Sequence, residues 1–401
     1  MRRTAVLVAV ALSVALGACS SSGSKGAQPK SSTAPPSTVS PAVAAKAYEA
    51  VGPNPVGVTT YTLPAGNQVE VWYPAVKGTT GTISYDVRDY VPAAIKALLT
   101  TDVPATFSYP GKRGAAAAPG KFPLVLFSHG FSGIRLQSSH LTSHLASWGM
   151  VVASPEHPSR DLTHALVGDL GPAQASVDDI KATLQLVTDE NGKAGSLLDG
   201  HVDLEHVAIV GHSAGGGTAL AATQQIPAID GFVSLASGIF KNTGTATTVA
   251  GATTTVPAPM SDKPSLFVAG KDDHVAVFSQ VTKPAFDAAP APSRLWLIDR
   301  LGHNGFDDFC TFGNGKGIIG VAEAAGLGPA LARPPLSQFK SLGEDGCLPP
   351  ALPVQQVWPV IDHVVTSWLR NLFGTDAQPV GLDASVAGQY NVAVDIRSRV
   401  S

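Results

Sequence analysis

Short, unbroken apolar runs recur through the middle of the chain, separated by stretches whose apolar residues fall every third or fourth position. Phe122–Phe127, Met150–Ala153, Val207–Val210, Gly231–Leu235, Ser265–Ala269 and Arg294–Ile298 are runs of the first kind. A strand that is apolar on both faces is covered by helices on both sides, so these runs predict the central strands of a parallel sheet. Val69-Glu70-Val71-Trp72-Tyr73 alternates instead, which places it near an antiparallel edge. Gln174–Val187 reads as a helix, with Asp178 and Asp179 toward its start. Val357, Val360, Ile361, Val364, Val365, Trp368, Leu369 and Leu372 keep helical spacing, and Gly374 follows as the expected C-cap. That helix should lay its apolar stripe on the sheet and leave His363 solvated opposite. Strands alternating with helices give an α/β fold with a mostly parallel central sheet and helices on both faces. Two segments break the pattern. Phe240–Ser261, rich in Thr, Gly and Ala, reads as a surface loop, and Phe306–Pro350 is a segment able to cover an active site. No internal repeat is visible.

The chemistry enters between one such strand and the helix after it. Val207–Val210 is followed directly by Gly211-His212-Ser213-Ala214-Gly215, then by the small residues Gly216 to Ala222. A G-x-S-x-G between strand and helix is the nucleophile elbow of an α/β-hydrolase, its glycines letting the two elements cross closely. Ser213 is therefore the expected nucleophile. A serine needs a base to take its proton and a carboxylate to orient that base. In this fold the chain order is Ser, then acid, then His. Downstream of Ser213 lie only His274, His303 and His363. His303, in a loop at the end of the strand Arg294–Ile298, is the expected base; His274 adjoins the acid itself. The acid is expected in Gly270-Lys271-Asp272-Asp273, where a G-x-x-D pattern selects Asp273 with Asp272 as the alternative.

An oxyanion formed on this serine needs two N–H donors. The amide of Ala214, which follows the nucleophile, is one. The other is expected from Ser128-His129-Gly130-Phe131, as the amide of Phe131, with His129 shaping the loop. His140 and His144 stand four apart on a probable helix, but no third ligand accompanies them, so they read as an ordinary polar helix face. Neither a metal nor a cofactor is expected.

The N-terminus carries a different signal. Met1-Arg2-Arg3, an apolar run from Thr4 to Leu16, and Gly17-Ala18-Cys19 form an export signal, too short for a typical membrane span. Leu16-Gly17-Ala18-Cys19 resembles the lipobox of bacterial lipoproteins, which implies lipidation of Cys19 and a place on the outer face of the plasma membrane. The Ser/Pro/Ala-rich stretch that follows has little to bury and reads as a disordered tether. The expected plan is a signal peptide over 1–18, a tether over 19–45, the hydrolase domain over 46–374 and an extension over 375–401. Outside the cytosol the two remaining cysteines, Cys310 and Cys347, are expected to form a disulfide. Net charge is −3 with 14% charged residues and no Lys/Arg cluster, which excludes a nucleic-acid partner.

Several segments in order also resemble platelet-activating-factor acetylhydrolases. These are Phe122–Gly130 with Gly133 and Arg135, Leu145–Ala153 with Glu156-His157 and Arg160-Asp161, Gly211–Gly216, and His303–Phe309. The resemblance implies an α/β-hydrolase that cleaves ester bonds of lipids. One position departs from it. The eukaryotic members take their acid just after the strand following the elbow, where this chain has Leu235-Ala236-Ser237-Gly238. The acid is then Asp273, as in dienelactone-hydrolase-like and other bacterial esterases. The expected activity is that of a surface-anchored serine ester hydrolase working through an acyl-enzyme, on an ester or lipid substrate. The alternative is a lipoprotein that binds a lipid or envelope component through an inactive hydrolase fold.

Overall fold

The computed structural model describes residues 39–239, 245–249, 252–256, 260–334 and 336–400. The expected signal peptide, Cys19 and most of the tether lie outside them. Ser40–Ser401 forms one compact unit.

The described residues form fourteen strands, in chain order. The first five are β1 (Val56–Thr62), β2 (Gln68–Pro74), β3 (Thr82–Asp86), β4 (Thr106–Pro110) and β5 (Lys112–Arg113). The next four are β6 (Phe122–Ser128), β7 (Val151–Pro155), β8 (Val202–His212) and β9 (Gly231–Leu235). Then come β10 (Thr245–Val249), β11 (Ala252–Val256), β12 (Ser265–Gly270), β13 (Ser293–Ile298) and β14 (Val394–Arg399). Ten of them make one sheet in the order β14-β13-β12-β9-β8-β6-β7-β2-β1-β5. The six from β13 to β7 run parallel, and β14, β2 and β1 pair antiparallel at the flanks. This is the α/β-hydrolase fold.

The two-faced burial inferred from the apolar runs is realised residue by residue. Along β6, Val125 and Phe127 enter one apolar cluster and Leu124 and Leu126 the other, with all four out of water. The helices Ser139–Ser147 and Val354–Leu372 contribute to the first cluster, and Ala173–Asn191 and Ala214–Gln225 to the second. Pleating sends alternate side chains to opposite faces, so each strand feeds both layers.

Two expectations are corrected. Part of Phe240–Ser261 is not loop but the antiparallel pair β10–β11, whose Thr- and Val-containing strands suit a pleated backbone better than composition alone suggested. His363 is not solvated: it is fully buried, accepting from the Tyr48 amide (3.3 Å) and bonded through Nε2 to the Gly381 carbonyl (3.1 Å). Residues 375–400 return over that face of the helix and close it.

Candidate active site

The elbow sits where β8 ends and the helix Ala214–Gln225 begins. Ser213 links them with φ 53° and ψ −122°, a conformation that only a tightly packed surround can hold in a non-glycine residue. That packing is backbone on backbone. A Cβ at Gly215 would lie 1.9 Å from the Ser128 carbonyl oxygen at the end of β6, and one at Gly211 2.0 Å from the Gly215 carbonyl. Neither contact can be relieved by a rotamer change. Gly215→Ala is therefore expected to cost at least about 3 kcal/mol, at the upper end of overpacking effects. Chemical denaturation of the two proteins measures this; an unchanged midpoint would mean the helix sits further from β6.

Three parallel strands bring the catalytic candidates together at their carboxyl ends, where open α/β sheets place their sites. Ser213 follows β8, Asp273 follows β12 and His303 follows β13. His303 Nε2 lies 2.9 Å from Ser213 Oγ, and His303 Nδ1 lies 2.9 Å from Asp273 Oδ2. All three are buried. Burial pushes the Asp273 carboxyl up, but the hydrogen bond with His303 and those from the Ala276 and Val275 amides outweigh it and hold the group below the usual carboxylate range. Asp272 makes no such contact with the imidazole. His274 points away, its ring exposed and 3.1 Å from Asp345 Oδ2.

The amides of Ala214 and Phe131 flank Ser213 without a hydrogen-bond partner among the described residues. The neighbouring Gly130 N–H is occupied: it donates to Gln137 Oε1 (3.0 Å). The same Gln137 side chain gives its Nε2 to His212 Nδ1 (2.7 Å), and His212 Nε2 donates to the His303 carbonyl (3.0 Å). Burial, reinforced by the nearby His303, pulls His212 down to about 3, so it stays neutral with its proton on Nε2. One amide side chain thus ties the loop of Gly130 to the turn at Ser213 and, through His212, to the loop of His303. Nothing in the local sequence marked Gln137, because its partners lie 7 and 75 residues away.

Behind the loop lies a buried polar frame. Arg160 donates to Ser128 Oγ, the His129 carbonyl and Thr218 Oγ1 at 2.7–2.8 Å, while its own carbonyl accepts from Ser132. His157 joins Ser128 Oγ to Asp179 Oδ2, each at 2.9 Å. His129 donates through Nδ1 to the Gly130 carbonyl and accepts at Nε2 from the His157 amide. It shapes the loop and faces no reacting atom.

The base loop is fixed from the far side. Cys310 and Cys347 are joined by a disulfide. Two residues before Cys347, Asp345 accepts the His303 amide at Oδ1 (2.8 Å) and the His274 amide at Oδ2 (3.2 Å), and its carbonyl accepts from Asn304 (2.9 Å). Asp345 was not singled out from sequence; it holds the loops of Asp273 and His303 to one carboxylate.

His140 and His144 are not a polar surface. The His140 ring stacks on Trp358 with centroids 3.8 Å apart, and His144 Nδ1 lies 3.7 Å from Asp362, with burial pulling His144 down to about 4. The helix that follows them in space covers the face that spacing alone left open. Among the described residues no group of three potential ligands is placed to hold a metal ion.

Residues 64–194 match the family model of platelet-activating factor acetylhydrolase, isoform II. The match begins just after β1, takes in β2, the loop of Gly130 and all of the polar frame behind it except Thr218, and ends before the turn at Ser213. The likeness is to a lipase- or esterase-type hydrolase of the α/β-hydrolase fold. No curated protein matches the chain.

Proposed function

We propose that the protein is a serine carboxylic-ester hydrolase, with Ser213 as nucleophile, His303 as general base and acid, and Asp273 as the group that orients His303. The observation that carries this reading is the unbroken chain of two 2.9 Å contacts, Oγ to Nε2 and Nδ1 to Oδ2, beside two unoccupied amides. Ser213 Oγ bonds to the ester carbonyl carbon as its proton passes to His303 Nε2. The carbonyl oxygen becomes an oxyanion held by the N–H groups of Ala214 and Phe131, each donor worth about 2.7–4 kcal/mol in comparable sites. The bond to the alkoxy oxygen then breaks, and His303 returns the proton to the departing alcohol. Water repeats the sequence on the acyl-serine, giving the carboxylic acid and free Ser213.

The same reading takes the N-terminal pattern at face value: a lipid on Cys19 holds the enzyme at the outer face of the plasma membrane, beside lipid esters. The family likeness over residues 64–194 supports the ester chemistry. Labelling the purified protein with a fluorophosphonate tests the nucleophile. The wild type should be modified at Ser213 and Ser213→Ala should not; equal labelling of both would overturn the assignment.

A further inference from the structure

Two cavities meet at Ser213. One, of about 280 Å³, lies on the His303 side behind Ile95, Leu99, Leu162, Ile319 and Leu331. The other, of about 620 Å³, opens on the Ala214 side against Val177, Gly217, Leu220, Ala221 and Ile239. Phe131, Ser213 and Leu342 border both, so the nucleophile stands at the junction. The smaller cavity is walled chiefly by aliphatic and aromatic side chains, and the surface the larger one exposes is mainly apolar although Ser159, Arg160, Gln174 and Ser176 also border it. Asp307 borders the first cavity, but burial pushes its carboxyl well above the usual range, so it brings no negative charge there. The mouths are apolar too: Leu98 at the first and Leu170 at the second are 56% and 50% exposed, and Phe131 between them is 39% exposed. Exposed apolar side chains gathered at a cavity entrance mark a surface that an apolar ligand covers.

The two cavities are not equivalent with respect to the chemistry. His303 lines the first and not the second; Ala214 lines the second and not the first. The departing alkoxy oxygen must take its proton from His303, so the alcohol portion belongs on that side. The acyl portion then extends past Ala214. We propose that the substrate is an ester with apolar chains on both sides of its carboxyl group, the alcohol chain in the smaller cavity and the acyl chain in the larger. This rests on the serine-esterase reading above and adds to it a substrate class. An acetyl ester would leave the larger cavity to water, whereas every methylene placed there is removed from it.

The test is a matrix of four simple esters: ethyl acetate, ethyl hexanoate, hexyl acetate and hexyl hexanoate, followed by acid release. For the wild type, kcat/KM should rise along both chains, by roughly two- to fourfold per methylene. A Cβ at Gly217 meets no atom within 4 Å, so the ring of Gly217→Phe enters the larger cavity without backbone conflict. That variant should lower the hexanoyl-over-acetyl preference by about tenfold or more and keep the hexyl-over-ethyl preference. Ile95→Trp, in the smaller cavity, should do the reverse, and thermal unfolding of each variant reports that it is folded. Exchange of the two effects would overturn the assignment of chains to cavities. A wild type that hydrolyses all four esters equally, yet is labelled by fluorophosphonate at Ser213, would overturn this inference and leave the esterase standing. The wild-type matrix decides this even if a variant fails to fold. Absence of labelling would strike the esterase reading itself.

Discussion

Asp273→Asn is expected to lower kcat by about four orders of magnitude with little change in KM, as for the same exchange in other triads. The reason lies in how the carboxylate is held. Asp273 Oδ1 accepts hydrogen bonds from the Val275 and Ala276 amides, and Oδ2 faces His303 Nδ1. An asparagine must keep its carbonyl oxygen on those two amides, which turns its NH₂ toward the imidazole. Nδ1 must then accept, the ring proton moves to Nε2, and His303 presents a donor to Ser213 where a base is needed. Steady-state kinetics on the best ester of the series measures this, and a loss under about tenfold would mean that another group orients His303. The exchange also alters the response to acid. A carboxyl held below its ordinary value adds stability that is fully present above its unfolded value near pH 4 and is lost as pH falls through the lower folded value. The wild type should lose stability in that acid window and Asp273→Asn should be flatter there, as seen by chemical denaturation at stepped pH.

Removing the disulfide, as Cys310→Ser with Cys347→Ser, is expected to lower stability by about 3–4 kcal/mol from loop closure alone. The bond closes a separation of 37 residues. Activity should fall with it, because the bridge braces the segment carrying Asp345, whose carboxylate fixes the backbone of His303. A displacement of about 1 Å at a catalytic group costs on the order of a hundredfold in rate. The order of preference among esters should not change, since neither cysteine lines either of the two cavities at Ser213. Differential scanning calorimetry with parallel assays is the measurement. Lost stability with full activity would show that Asp345 holds its place unaided. Free thiols in the oxidised wild type, found by peptide mass spectrometry, would remove the premise.

What could be read from the chain beforehand was whatever is encoded locally. The elbow is such a feature: a strand, five residues and a helix specify a turn whose glycines Gly211 and Gly215 lie against backbone. The strands after which Asp273 and His303 stand were visible as apolar runs, and chain order then placed both residues at neighbouring strand ends. Features that depend on distant segments were opaque. Gln137 and Asp345 act on loops 75 and 42 residues away, and no spacing rule connects them. His363 looked exposed because a helical wheel knows only one partner surface, and this helix has a second one in residues 375–400. His140 and His144 misled for the same reason, since Trp358 and Asp362 come from that same helix.

The closing strand also decides which backbone the sheet presents at this edge. β14 pairs along the whole of β13, register running from Ser293 opposite Arg399 to Ile298 opposite Val394. Along β14 Asp395 and Arg397 are exposed and pair with each other, while Arg399 turns back over the Phe286 ring and toward Asp287, so a strand from another molecule approaching that edge meets charged side chains. A chain cut after Gly374 would instead present the unpaired backbone of Leu295-Trp296-Leu297, a ready template for sheet-to-sheet stacking between molecules. The six residues of β14 cover that backbone, so the edge this end of the ten-stranded sheet offers is the short, charged β14 in place of the apolar β13.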